Sequence, residues 1–192
     1  MRIGLTGGIA SGKSTVANYL HERYGIPVLS ADRYANFILE NLVKDSVIDR
    51  YGEKIVREDK IDRRSLGQII FTDPMERAWL ESKIHPLVRE LMQQDLAKYQ
   101  ERLVVLEIPL LFEAKMTDLV DQTWVVWCKE ETMIARLQKR NHLTITECHD
   151  RINAQMPIAE KCKLADLILD NEGNLEQLYQ KIDRKITELT SP

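Results

Sequence analysis

At 192 residues the chain is close to one average domain, since length divided by ~150 gives about 1.3. Apolar residues make up 44% and charged residues 30%, ordinary globular usage that excludes a disordered or fibrous chain. With 27 Lys and Arg against 30 Asp and Glu the formal charge is −3, which argues against a nucleic-acid coat or a polybasic membrane binder. Any phosphate must therefore be met by a few placed cations.

The predicted elements alternate in type. Residues 2–6 read as a short apolar strand, followed by a glycine-rich loop. A helix is expected over 14–24, with Val16, Ala17 and Leu20 on one face and Gly25 as its C-terminal cap. Residues 27–30 read as a second strand. The next stretch, 33–100, breaks the alternation and is expected to be almost wholly helical. Within it, Asp73, Pro74 and Glu76 suit N-cap, N1 and N3 of one helix. Leu80, Ile84, Leu87, Leu91 and Tyr99 then follow roughly one face, and Pro86 is expected to kink or split the run.

Strands resume at 103–107, 123–128 and 165–169. Between the last two lie a helix carrying Arg136 and Arg140 and a capping-box signal, Thr144 with Glu147. The C-terminal segment places Leu175, Leu178, Ile182, Ile186 and Leu189 at helical spacing behind Asn174 as N-cap. The prediction is an α/β, P-loop kinase-like three-layer fold with a five-stranded parallel sheet, a helical substrate insert and a helical lid. Its core spans about 1–32, 101–140 and 157–192, the insert about 33–100 and the lid about 141–156.

Three cysteines, Cys128, Cys148 and Cys162, are odd in number and nowhere spaced C-x-x-C, so a reducing compartment and a cytoplasmic location are expected. With His142 and His149 they match no structural zinc spacing. The apolar run 103–112 is broken by Glu107 and Pro109 and is too short to span a bilayer, and with a loop opening at Gly7 no leader is expected. No membrane or nucleic-acid partner is expected.

The sharpest signal is Gly7-Gly8-Ile9-Ala10-Ser11-Gly12-Lys13-Ser14, which fits G-x-x-x-x-G-K-[ST] between a strand and a helix. Average composition yields such a match in a chain this long on the order of 1% of the time, so the pattern in this context predicts a nucleoside triphosphate site. Backbone N–H groups of Gly8, Ala10, Ser11, Gly12, Lys13, Ser14 and Thr15 are candidates for cradling phosphate at a helix N-terminus. Lys13 supplies a point charge for the β- and γ-phosphates of ATP, and the Ser14 hydroxyl is the candidate Mg²⁺ ligand.

A P-loop alone does not separate kinase, switch and motor. No Asn-Lys-x-Asp run of the guanine-reading kind is present, and the chain is short for a motor. A helical insert after the second strand and arginines after the fourth match the layout of small-molecule kinases, in which a closing lid denies water the phosphoryl group. Arg136 and Arg140 share a helix face, with Met133, Ile134 and Leu137 beside them, so both arginines are expected to point away from the core. Arg151 and Gln155 are expected to repeat that spacing on the capped helix. Asp32, just past the second strand, has two readings: catalytic carboxylate for the acceptor hydroxyl, or N-cap of the next helix. Trp79, Trp124 and Trp127 suit the core, with Trp79 also able to stack on a base.

These motifs together resemble the dephospho-coenzyme A kinase family nearly end to end. The resemblance rests on Leu5-Thr6-Gly7-Gly8-Ile9, Gly12-Lys13-Ser14-Thr15, Ala31-Asp32, Ile61-Asp62-Arg63, Ile84-His85-Pro86 and Pro109-Leu110-Leu111-Phe112-Glu113. It continues through Arg136, Arg140, Arg151-Ile152, Gln155, Ala165-Asp166 and Asn171. It implies transfer of the γ-phosphoryl of ATP to the ribose 3′-hydroxyl of dephospho-coenzyme A, by a monomer or weak homo-oligomer. Asp32, Lys13 and Arg140 are the implied catalytic residues; Arg136 and Asn171 join the nucleotide site. Asp32, Asp62, Arg63, His85 and Glu113 are the implied acceptor contacts. Another small-metabolite or nucleoside monophosphate kinase is the nearest rival, and an ATP-binding regulatory protein without turnover a more distant one.

Three positions depart from the family pattern. Ala10 stands where Gly is frequent, which suits an alanine only if φ there is negative. Ser30 replaces the first carboxylate of Asp-Ala-Asp, and Glu107 replaces an Asp at the end of the third strand.

Overall fold

The computed structural model describes residues 1–100 and 102–190. The chain forms two compact units, one joining Met1–Leu29 to the chain beyond Gln100, the other Ser30–Gln100.

The first unit is built on a five-stranded parallel sheet of β1 (Arg2–Gly7), β2 (Val28–Ser30), β5 (Val104–Glu107), β6 (Gln122–Trp127) and β7 (Leu167–Asp170). Its spatial order is β2-β5-β1-β6-β7. β1 is central, and the chain leaves it for one side of the sheet and later returns on the other, so the crevice at the carboxyl ends of the strands falls beside β1. The register pairs Leu5 with Glu107 on one side and Gly7 with Val126 on the other. One face buries Ile3, Leu5, Val105, Trp124, Val126 and Leu169. Against it pack Val16, Ala17 and Leu20 of α1 (Lys13–Tyr24) and Leu178, Ile182 and Ile186 of α9 (Leu175–Thr190). Asn174 caps α9 by accepting from the Gln177 N–H at 2.9 Å, as its position implied, whereas Leu175 is exposed. Tyr19 and Tyr24 both donate to Asp183, at 2.7 and 2.6 Å, and Tyr19 stacks on Tyr179, so α1 and α9 are also joined by polar contacts.

Between β6 and β7 run α6 (Glu130–Asn141), α7 (Ile145–Asn153) and α8 (Ile158–Lys163). The Thr144–Glu147 capping box opens α7 with both of its reciprocal bonds. α7 ends at Asn153, so Gln155 lies beyond the helix expected to carry it. β7 begins two residues later than the pattern 165–169 suggested, because Asp166 turns its carboxylate onto the Thr123 N–H at 2.7 Å.

The second unit contains α2 (Ala31–Asn41), α3 (Lys44–Tyr51), β3 (Val56–Arg57), β4 (Lys60–Ile61), α4 (Arg63–Thr72) and α5 (Pro74–Leu96). It is not wholly helical: β3 and β4 form a small antiparallel hairpin. Its turn, Glu58-Asp59, has φ 52 and 57, the left-handed pair of a two-residue hairpin loop without the usual glycine. Asp73 caps α5 through the Met75 and Glu76 N–H groups. Pro86 does not split α5, which runs unbroken for 23 residues. Proline there removes one ladder bond, and the rest of a long helix anchored by a buried stripe holds. Its buried stripe is Leu80, Ile84, Val88, Met92 and Leu96, a strict i+4 row rather than the mixed spacing through Leu87 and Leu91. Trp79 is half-buried with the Arg50 guanidinium 4.5 Å over its ring and Tyr51 at its edge, so protein groups already use that ring. Among the described residues no helix is long and apolar enough to cross a membrane.

Candidate active site

The glycine-rich loop joins β1 to α1 at the carboxyl end of the sheet, and two glycines in it are sterically required. Gly7 has φ 149, and a Cβ there would lie 2.3 Å from the Val126 carbonyl oxygen. Gly12 has φ 106, and its Cβ would meet the Asn171 amide nitrogen at 2.1 Å. Gly8 is buried; Ser11 is fully buried, and its N–H donates to the Gly8 carbonyl at 3.2 Å. The Thr15 N–H returns to Gly12 at 3.0 Å, starting the helix directly off the loop. A 12-residue helix whose first turn carries no acidic residue leaves its positive end available to phosphate.

Ala10 overturns the expectation for its position: its φ is 58, in the left-handed region. An alanine there costs roughly 1–2 kcal/mol, whereas glycine pays no Cβ penalty but frees the unfolded chain by about 0.4–1 kcal/mol. Ala10→Gly should therefore stabilise the protein by up to about 1.6 kcal/mol, seen as a melting midpoint higher by up to roughly 3–6 °C. A lower midpoint would show that the loop relieves the strain elsewhere.

The Lys13 ammonium folds back over the loop, donating to the carbonyls of Gly7 at 3.2 Å and Gly8 at 2.9 Å. Ser14 donates its hydroxyl to Glu107 Oε1 at 2.8 Å. The longer carboxylate at the end of β5 thus reaches the first turn of α1, bringing together two hard oxygen donors of the type magnesium prefers.

Arg136 does not point away from the core. One of its guanidinium nitrogens donates to the carbonyls of Ala10 at 3.3 Å and Ser11 at 3.1 Å, and the other to the Asn171 carbonyl at 2.9 Å. The Cys128 sulfur completes its surroundings at 3.7 Å; burial pushes that thiol's pKa up to about 11, with Arg136 drawing it back. Asn171, almost fully buried, donates its amide to the same Ser11 carbonyl at 2.7 Å. Both residues therefore brace the loop through its carbonyls. Helical spacing identified Arg136 as outward-facing because the loop carbonyls it holds, at Ala10 and Ser11, are more than a hundred residues away in sequence. Arg140, in the last turn of α6, is exposed and donates to Asn141 at 2.8 Å.

Of the remaining candidates, Asp32 is exposed at the second position of α2; Ser30 occupies the N-cap, so the capping alternative fails. Asp62 caps α4, accepting from the Ser65 hydroxyl at 2.7 Å and the Arg64 N–H at 3.0 Å. Those bonds, the hydroxyl first, hold its carboxyl below the usual range. Arg63 is exposed at the start of α4, and His85 is half-buried within α5. Glu113 accepts from Lys161 at 2.8 Å and from the Met156 N–H at 2.9 Å. Lys161 escaped the sequence reading altogether: a lysine in a charged helix looks solvated, yet this one is completely buried.

A central parallel strand, the glycine-rich loop and a lysine–serine pair at the start of the next helix define a P-loop nucleotide-binding protein. The dephospho-CoA kinase family model matches residues 1–177, and the chain belongs to that family. A dephospho-CoA kinase of Synechococcus elongatus is 48% identical over 96% of this chain and 90% of the relative. Among solved structures, TT1252 from Thermus thermophilus superposes with a TM-score of 0.81 at 39% identity, over 100% of this chain and 98% of that one. Dephospho-CoA kinase from Campylobacter jejuni gives 0.70 at 27% identity, over 98% and 96%. The activity is that of a dephospho-CoA kinase, an ATP-dependent phosphotransferase of the final step of coenzyme A biosynthesis.

Proposed function

We propose that the γ-phosphoryl of ATP passes directly to the ribose 3′-hydroxyl of dephospho-coenzyme A as its bond to ADP breaks, assisted by Asp32, Lys13 and Arg140. The observation that carries this reading is the arrangement of Lys13 and the Ser14–Glu107 pair around the mouth of one loop. Loop N–H groups and the α1 terminus bind the triphosphate, and Lys13 follows the negative charge that shifts during transfer. Ser14 and Glu107 would hold magnesium, which when bound would supply positive charge to offset the negative charge of the triphosphate. Asp32 orients the acceptor hydroxyl and accepts its proton as the new P–O bond forms. Arg63 and His85 contact the acceptor, while Asp62 and Glu113 support it by fixing α4 and the segment after α7. The chain works in the cytoplasm as a monomer or weak homo-oligomer.

Arg140 tests the lid. Because it is exposed and lies in a final helical turn, Arg140→Ala should lower transfer at least tenfold while moving the melting midpoint by less than about 2 °C. Assays with Mg²⁺ and ATP against dephospho-coenzyme A, nucleoside monophosphates and buffer alone supply the rate and the acceptor choice. Unchanged turnover would remove Arg140 from the machinery, and faster transfer to a monophosphate would overturn the acceptor.

A further inference from the structure

Lys161 has no assigned part in phosphoryl transfer, yet its side chain is completely excluded from solvent. Its ammonium donates to the Pro109 carbonyl at 2.8 Å and to Glu113 Oε1 at 2.8 Å. The Pro109 carbonyl also accepts from the Thr6 hydroxyl at 3.1 Å, and Thr6 immediately precedes Gly7. Glu113 Oε1 also accepts from the Met156 N–H, three residues past the end of α7. One ammonium thus joins the root of the phosphate loop to the trailing end of the 141–156 segment. The start of α8, two residues beyond Met156, also stands near the loop: Ile158 Cδ1 lies 3.9 Å from where a Cβ on Gly8 would be.

Stability alone gives little reason for this arrangement. Burial lowers the lysine's proton affinity and Glu113 draws it back up. Glu113 Oε2 is itself buried without a hydrogen-bond partner among the described residues. Buried pairs of this kind are frequently replaceable by apolar side chains at no loss of stability, although removing one partner alone is costly. What an apolar pair cannot supply is directional bonding to two separate segments at once.

We infer that Lys161 is a positioning residue for phosphoryl transfer, a crosspiece that holds the end of the lid in register with the phosphate loop. The inference rests on the reading of 141–156 as the lid. It acts through the Pro109 carbonyl and Glu113, without touching substrate.

The test uses Lys161→Met alone and paired with Glu113→Gln. The single variant leaves an unpaired buried carboxylate and is expected to melt lower. The pair removes both charges and retains an acceptor for the Met156 N–H, so its midpoint should return to within a few degrees of wild type. In the folded double variant kcat should fall at least tenfold, with the KM for ATP changed less than about threefold. Amide exchange over 144–157 should quicken, and the ratio of acceptor-free ATP hydrolysis to transfer should rise. A folded double variant with wild-type kcat and hydrolysis ratio overturns the positioning role. Arg151→Ala, assayed alongside, distinguishes the two failures: it lowers transfer if the lid reading stands and leaves it unchanged if that reading is wrong.

Discussion

Asp32→Asn should lower kcat by roughly 10²–10⁴ while leaving ATP affinity within about twofold, because the acceptor hydroxyl loses its base and the nucleotide loses nothing. In-line transfer needs the acceptor oxygen held close to the γ-phosphorus, and a carboxylate both holds it and takes its proton. Asp32 is in the first turn of α2, with Ser30 at the N-cap, so the substitution removes a charge–dipole contact and leaves the N-cap residue in place. The dipole contact itself is worth about 0.3–1 kcal/mol, or a few degrees in the melting midpoint. A residue serving the helix alone would show the same small thermal loss with turnover intact. Measuring kcat, ATP binding and melting on the Asn variant decides between them, and near-normal kcat would remove Asp32 from the mechanism.

Lys13→Met should reduce transfer by ~10²–10³, the usual loss when one fixed charge at a developing anion is removed. Methionine keeps the length and apolar stem of this buried side chain, so the comparison isolates the ammonium. The variant also gives up the bonds to the Gly7 and Gly8 carbonyls, so ATP binding should weaken along with kcat. Turnover within about threefold of wild type would overturn the role assigned to the loop lysine.

How much of this was legible in advance depended on sequence separation. The phosphate loop is a contiguous motif, and the caps at Asp73, Thr144 and Asn174 act on N–H groups two or three residues away, so local chemistry revealed them. The parallel sheet was equally plain, because strands covered on both faces are continuous apolar runs. Arg136 and Lys161 were misread or missed for one reason. Their partners lie 125 and 52 residues away, at Ser11 and Pro109, and only the folded chain brings them together. The β3–β4 hairpin was hidden by chemistry instead, since Glu58-Asp59 adopts a turn that sequence patterns associate with Asn-Gly or Asp-Gly. At Ala10 the pattern posed the right question, and the backbone answered it against expectation.

The double grip on the Ser11 carbonyl has a consequence for the thermodynamics of ligand capture. In a planar trans peptide the C=O and the following N–H point in opposite directions, so fixing one aims the other. With the Ser11 oxygen held by both Arg136 and Asn171, the Gly12 N–H is locked to face the opposite side before any nucleotide arrives. Ordering a residue costs about 1–2 kcal/mol, and here that entropy is spent during folding rather than during the encounter with ATP.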